Sequence, residues 1–203
     1  MSLKIKIAGI VVLLALACFA AYGTSLSNGF LIDDKFVVQQ NPLIKDLFFA
    51  PQYFTQPFLK VYYRPLTHLS LALDYQVWKL DPFGYHLSAV LLHFFNAVLL
   101  FILLYILWGD VALATLTSLL FVIHPVCSIP VNYVADRGTL LSALFMLGAL
   151  IAFGLAVKRS RPLFYLAGFV FFICSLLSHE SSILFPLYLL CVLAIVDQMP
   201  DKK

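Results

Sequence analysis

The feature that most constrains the fold of this chain is a series of long apolar stretches separated by short polar turns. Residues 85–108, for example, contain no aspartate, glutamate, lysine or arginine. A stretch of about 20 apolar residues is long enough to cross a lipid bilayer as a helix. Charged residues make up 11% of this 203-residue chain, whereas soluble domains carry about 25%. The sequence therefore predicts an all-α, polytopic membrane protein.

The apolar stretches predict about six transmembrane helices in a single membrane domain, residues 1–203. The approximate limits of these helices are 5–22, 85–108, 111–126, 139–157, 163–177 and 183–196. Several of the stretches are only about 14 to 16 residues long, so we expect polar groups at their ends to dip below the membrane surface. Residues 23–84 form a long first outer loop.

Basic residues predict the orientation of the helices. Lys4 and Lys6 precede the first stretch, a basic cluster at 158–161 follows the fourth, and Lys202 and Lys203 end the chain. Basic residues favour the cytoplasmic side, so both termini are predicted to be cytoplasmic and the first loop to be periplasmic, extracellular or lumenal in the endoplasmic reticulum. The basic start and the apolar run also fit a signal peptide, but we favour a retained helix.

Several functional classes lack their sequence signals. The net charge of +3 is small and dispersed, so no basic stripe indicates nucleic-acid binding. The four cysteines have no metal-ligand spacing and predict no disulfide framework. The hydrolase elbow, the zinc-protease motif, the phosphate-binding loop and the inverted repeat of a transporter are also missing from the sequence.

Two adjacent acids, Asp33 and Asp34, lie in an apolar frame in the first loop, residues 29–38. Neighbouring carboxylates repel each other, so such a pair is often protonated, ion-paired or bound to a metal. The pair is therefore a candidate site. The alternative interpretation is a polar turn in which Lys35 neutralises one acid.

A helix is predicted to begin at Pro65, because proline suits the first position of a helix. The apolar residues that follow recur every three or four positions, as in an amphipathic helix lying in the membrane interface: Leu66, Leu69, Leu73, Val77 and Leu80. Arg64 is a candidate site residue at the start of this helix, whereas Asp74 is interpreted as part of the solvent-exposed face of the helix.

The second predicted span carries polar residues on one helix face. We interpret His93 and Asn96 as partners in hydrogen bonds between helices. His86 lies nearer the outer end of this span, where its side chain could reach an aqueous site.

The strongest polar groups fall at the outer ends of the predicted spans. They are Asp33, Asp34, Arg64, His86, His124, Arg137, His179 and Glu180. A channel would distribute polar groups through the full depth of several helices, so this one-sided pattern favours a site at the outer membrane face.

Such a site suits sugar transfer from a polyprenyl-phosphate donor to a hydroxyl group. The acceptor hydroxyl needs a carboxylate as general base. The departing phosphate needs cations or a metal ion to stabilise its charge. The acidic pair and the nearby arginine and histidine residues would supply both.

Several of these motifs together resemble one protein family, the transmembrane and tetratricopeptide-repeat-containing O-mannosyltransferases of the GT-C superfamily. The resemblance covers most of the chain, in order, and rests on residues 28–30 with Asp33-Asp34, 63–67, 81–86, Leu92-His93 with Asn96, His124-Pro125, Asp136-Arg137 and Ser178-His179-Glu180. It implies a dolichyl- or polyprenyl-phosphate sugar donor, with mannose as the sugar, used on the non-cytoplasmic side.

The resemblance also implies roles for individual residues. Asp33 and Asp34 would be catalytic and could hold a divalent ion such as magnesium or manganese. Arg64, Arg137 and His124 become candidates for binding the donor phosphate or organising the site, and His179 stands where the family usually has lysine. The other site residues, His86 and Glu180, are predicted to bind substrate.

The chain is shorter than members of that family, which continue into more spans and a soluble repeat domain. Two expectations follow. In the first, the chain is a membrane glycosyltransferase or the N-terminal half of one. A second protein chain could then complete the fold. Alternatively, it is a non-catalytic membrane subunit that scaffolds a larger complex.

Overall fold

The computed structural model describes residues 2–57 and 62–197, so Lys202 and Lys203 lie outside the described residues. Ten α-helices lie within the described part of the chain. They are α1 (Leu3–Tyr22), α2 (Ile32–Asp34), α3 (Ala50–Tyr53), α4 (Pro65–Trp78), α5 (Pro82–Trp108), α6 (Val111–Ile123), α7 (Ser128–Asn132), α8 (Arg137–Arg159), α9 (Pro162–Leu176) and α10 (Phe185–Asp197).

Three helical segments are long and apolar enough to cross a membrane: Leu3–Ser27, α5 and Val134–Arg159. A fourth crossing is possible if α6 and the segment Pro125–Asn132, which bend by 54° relative to each other, form one span. The segments Pro162–Leu176 and Glu180–Val196 are shorter apolar helices. The all-α polytopic membrane fold is thus confirmed, and the number of six crossings stays a prediction.

Local sequence signals fix where the long helices begin and end. Asp81 caps α5 by accepting the Phe83 N–H at 3.1 Å. Gly109 ends the same helix with a φ of 70°, a left-handed conformation that glycine adopts without strain. Asp110 then caps α6. These two residues turn the chain sharply, as the predicted short turn between the second and third spans requires.

Helix α5 is the centre of the bundle, because α1, α4, α6 and α8 all pack against it. Two polar side chains on α5 bond to main-chain oxygens of neighbouring helices. The His93 Nε2 lies 3.2 Å from the Val122 oxygen, and the Asn96 amide donates to the Leu140 oxygen at 3.0 Å. The predicted hydrogen bonds between helices are therefore confirmed.

The first outer loop folds as a layer over one end of the bundle. Its buried residues Val37, Val38 and Ile44 pack with Leu71 of α4 and Tyr85 of α5. This layer brings the acidic pair of the first loop against the starts of α5 and α8.

Helix α4 begins at Pro65, as predicted. It buries Leu71 but leaves Leu73 and Val77 52% and 71% exposed. Exposed apolar side chains of this kind suit a helix lying in the membrane interface.

Candidate functional site

The candidate site is organised by residues 133–137, which connect α7 to α8 and which we call the 133–137 segment. Its main chain and side chains reach three other parts of the molecule. Tyr133 and Ala135 contact the acidic pair, Asp136 lies near His179, and Arg137 bonds to α4 and α5. The segment therefore links most of the polar residues predicted from the sequence.

Asp34 has a structural role in this arrangement. Its carboxylate is fully buried, and each oxygen accepts one main-chain N–H. Oδ1 accepts from Ala135 at 2.7 Å, and Oδ2 accepts from Leu31 at 2.9 Å. Hydrogen bonds to an ionised acceptor are stronger than neutral ones. Asp34 thus fastens the first loop to the 133–137 segment.

Asp33, in contrast, is exposed. The Tyr133 side chain is its neighbour. Burial and the neighbouring Asp33 carboxylate raise the pKa of Tyr133 to about 12, so the phenol stays protonated at neutral pH. The two adjacent acids therefore have different environments, and Asp33 is the one that a substrate can reach.

A divalent ion at the acidic pair stays a prediction. Both oxygens of Asp34 already accept main-chain N–H groups. Within residues 2–57 and 62–197, no three acidic, histidine or cysteine side chains converge where they could hold an ion. We therefore derive no step of the reaction through a metal.

Arg64 forms an ion pair with Glu180. Its Nε donates to Oε2 at 2.8 Å and a terminal nitrogen donates to Oε1 at 2.5 Å. The guanidinium also lies 4.5 Å from the centre of the Tyr62 ring. The hydrogen bonds from Arg64 lower the pKa of Glu180 to about 2. Glu180 is therefore ionised at neutral pH, and its side chain is 56% exposed.

His179 caps the helical turn that follows it. Its Nδ1 accepts the Ser181 N–H at 3.2 Å, and its Nε2 lies 4.0 Å from a Glu180 oxygen. Burial and the nearby Arg64 charge lower the pKa of His179. The ring is therefore neutral at pH 7 and does not supply the cation that lysine would supply at this position.

Two hydrogen bonds join the start of α4 to the turn after α9, next to this ion pair. The Thr67 hydroxyl donates to the Ser178 oxygen at 2.8 Å, and the Leu66 N–H donates to the Leu177 oxygen at 3.1 Å. Gly138 completes the contact, because a Cβ there would lie 2.8 Å from the Ser178 oxygen. The starts of α4 and α8 and the turn after α9 therefore meet.

Arg137 is buried and bonded to two helices. It donates to Asp74 at 2.8 Å, to the Tyr85 oxygen at 2.8 Å and to the Ser70 hydroxyl at 3.2 Å. Asp74 also accepts from Ser88 at 2.7 Å and is only 13% exposed. The interpretation of Asp74 as part of a solvent-exposed helix face is wrong, because Asp74 is mostly buried and supplies the charge opposite to the buried Arg137 guanidinium.

The two remaining predicted residues lie in different environments. His86 is fully buried in α5, with Asp34 and Arg137 among its electrostatic neighbours. His124 is exposed at the bend after α6, where its ring accepts the Val126 N–H at 3.2 Å. The structure therefore brings His86 to the acidic pair, whereas the hydrogen bond of His124 is local.

Comparisons with known proteins identify the family. The chain is 32% identical to human protein O-mannosyl-transferase TMTC3 over 146 residues, which cover 66% of this chain. It is 29% identical to Tmtc3 of Drosophila melanogaster over 178 residues, or 72% of this chain. The match to mouse TMTC1 has 27% identity over 197 residues, or 87% of this chain.

The chain belongs to the TMTC-like family. It spans 16% of the length of human TMTC3, 19% of the fly protein and 21% of mouse TMTC1. No protein-family model and no solved structure matches it.

In this TMTC-like chain, two residues of the site were not singled out from the sequence. Tyr133 gave no signal beyond its place in a polar loop, because its contact with Asp33 joins residues a hundred positions apart. The pairing of Asp74 was also hidden in the sequence, because only the structure shows that Arg137 is buried and therefore needs a carboxylate nearby.

Proposed function

We propose that this chain forms the membrane part of a mannosyltransferase that moves mannose from a dolichyl- or polyprenyl-phosphate donor to a hydroxyl group on the non-cytoplasmic side. The relatives are protein O-mannosyl-transferases by name, which supports mannosyl transfer. The observation that carries the proposal is the division of the acidic pair, which leaves Asp33 exposed beside Tyr133.

Asp33 acts as the general base in this proposal. Its carboxylate takes the proton of the acceptor hydroxyl as that oxygen forms a bond to the anomeric carbon of mannose. The bond between this carbon and the phosphate oxygen breaks, and the electron pair leaves with the lipid phosphate. The protonated Tyr133 phenol lies beside this carboxylate and can donate to it, and Asp34 holds the backbone of the first loop.

Arg64 is the candidate partner of the donor phosphate. A guanidinium binds two oxygens of a phosphate in the same geometry as two oxygens of a carboxylate. In this structure Glu180 occupies that position. Binding of the donor therefore requires the phosphate to replace the exposed Glu180 carboxylate.

A groove of about 410 Å³ between α4, α5 and α8 is the candidate position for the lipid chain of the donor. Leu73, Leu91 and Phe95 contribute to its apolar wall. Arg137 and Asp74 lie along the same groove, but they are bonded to each other. The groove supports a lipid-linked donor, since an apolar surface suits an isoprenoid chain.

The direct test is the variant Asp33→Asn, assayed in membranes with radiolabelled dolichyl-phosphate mannose. Loss of a general base lowers the rate by about 10²–10⁴-fold. The matched control is Asp46→Asn, because Asp46 is an exposed loop aspartate that caps the Phe48 N–H and asparagine caps equally well. Retention of transfer by the Asp33 variant would exclude Asp33 as the base.

The pairing of both candidate arginines favours a second function, a non-catalytic membrane subunit. Arg64 is bonded to Glu180 and Arg137 to Asp74, so neither guanidinium is free in this structure. Purification from native membranes distinguishes the two. A subunit would be recovered with a stoichiometric protein partner and would not bind dolichyl phosphate, whereas an enzyme would bind it.

A further inference from the structure

A second cavity, of about 340 Å³, is bounded by α5, α6, α7 and α8. Most of its wall is apolar and includes Phe121, Ile129 and Leu140. Val126 and Ile129, which line it, are 69% and 63% exposed. They belong to the bent segment after α6, so exposed apolar side chains flank the cavity. None of the residues used in the proposed sugar transfer lines it.

Asn96 lines this cavity and has an unused hydrogen-bond acceptor. The residue is 1% exposed, its amide nitrogen donates to the Leu140 oxygen at 3.0 Å, and its Oδ1 has no partner. A buried acceptor without a donor is unfavourable. A ligand that places a donor in the cavity would satisfy it.

The other polar groups of the cavity indicate the charge of such a ligand. Asp136 contributes a carboxylate, one oxygen of which accepts the Thr139 hydroxyl at 2.7 Å. The Nε2 of His93 is engaged with the Val122 oxygen. No lysine or arginine is among the described residues that line the cavity. The cavity therefore offers acceptors to a donor group and repels an anionic headgroup.

We propose that this cavity binds an uncharged membrane lipid whose hydroxyl group donates a hydrogen bond to Asn96. Its volume is at the small end of the range for ligand sites, about 300–1,000 Å³, so it accommodates a single chain or ring system. The proposal does not depend on sugar transfer, because neither Asp33 nor Arg64 contributes to the cavity.

Cys127 provides a reporter inside the cavity. It lines the wall and is half-buried, whereas the half-buried Cys174 lies on α9, outside the cavity. The full chain in detergent is treated with N-ethylmaleimide, and alkylation of each cysteine is followed by mass spectrometry. The probes share one chain length and differ in the headgroup: tetradecanol, methyl tetradecyl ether, tetradecanoate and tetradecylamine.

Tetradecanol is expected to slow alkylation of Cys127 in a saturable way and to leave Cys174 unchanged. Because the ether lacks a donor, it should need a concentration between about twofold and tenfold higher. Equal protection by the alcohol and the ether, or no protection by either, would overturn the proposal. Strongest protection by tetradecanoate or tetradecylamine would also overturn it, since the site would then prefer a charged group.

Two variants locate the effect. Asn96→Leu removes the acceptor, so the alcohol and the ether should protect Cys127 equally. Ala143→Phe fills the cavity from α8 and should abolish protection by every probe. Its matched control is Ala194→Phe, at an exposed position of α10. In this control the probes should protect Cys127 as they do in the natural chain. Unchanged protection in Ala143→Phe would show that the probes bind elsewhere, even if the Asn96 variant does not fold.

Discussion

At the scale of single residues, the proposed function depends on a difference between two adjacent aspartates. Asp34 is buried with both oxygens bonded, and Asp33 is exposed beside a tyrosine. The sequence predicted the pair as a site, but it could not assign separate roles. The difference arises from Tyr133 and Ala135, which are distant in sequence and become neighbours only when the first loop folds onto the start of α8.

The Arg64–Glu180 pair leads to a prediction about pH. The pKa of Glu180 falls from its usual 4.5 to about 2 in the folded protein. Because the folded pKa is the lower one, the stabilisation is complete above pH 4.5 and is lost as the pH falls towards 2. Its size should be below about 1 kcal/mol, since the pair is solvent-screened.

The variant Glu180→Gln tests this prediction by denaturation at several pH values. We expect the natural chain to be slightly more stable than the variant at neutral pH and the difference to disappear at low pH. Since the variant also frees Arg64, it should bind dolichyl phosphate more tightly than the natural chain. A stability difference that grows on acidification would contradict the assignment of the ion pair.

At the scale of helices, two of the predicted spans lie within three residues of helices in the structure. The predicted spans 85–108 and 139–157 correspond to Pro82–Trp108 and Arg137–Arg159. The prediction was less accurate for 111–126, because the helix stops at Ile123 and bends before Pro125. Proline cannot donate the hydrogen bond that would continue the helix. Apolar composition alone does not reveal such a bend.

The contact between α4 and α8 depends on the buried pair of Asp74 and Arg137. Removing one partner leaves a buried charge without compensation and costs about 3–5 kcal/mol. We therefore expect Arg137→Met and Asp74→Leu each to lower the free energy of unfolding strongly. The double variant should lose less than the sum of the two, because it leaves no unpaired charge.

Denaturation in mixed micelles would measure these differences. The matched control is Lys79→Met, since Lys79 is an exposed basic residue that follows the same helix α4. Additive losses in the double variant would show that the two side chains do not interact. If the single variants lost no more free energy of unfolding than the control, the pair would not hold the helices together.

At the scale of the whole molecule, the sequence predicted the helical membrane architecture because apolar stretches leave few alternatives. It did not predict that the first loop forms a packed layer with its own buried core of Val37, Val38 and Ile44. Such a layer depends on contacts of the loop with α4 and α5. These contacts leave no periodic pattern in the local sequence from which they could be predicted.

The orientation in the membrane stays a prediction that labelling can test. In a background without the four natural cysteines, we expect Ser2→Cys to react with a membrane-impermeant maleimide only from the cytoplasmic side. Thr55→Cys, in the first loop, should react only from the opposite side. Both positions are exposed. Labelling of both cysteines from one side would contradict an odd number of crossings between them.

The division of labour between Asp33 and Asp34 is tested most directly by measuring the free energy of unfolding and mannose transfer for Asp33→Asn and Asp34→Asn together. Asp33→Asn should stay within about 0.5 kcal/mol of the natural chain and lose transfer. Asp34→Asn should lose about 1–3 kcal/mol, because an amide cannot accept both buried N–H groups. Equal destabilisation by the two variants, with transfer retained in Asp33→Asn, would contradict the account.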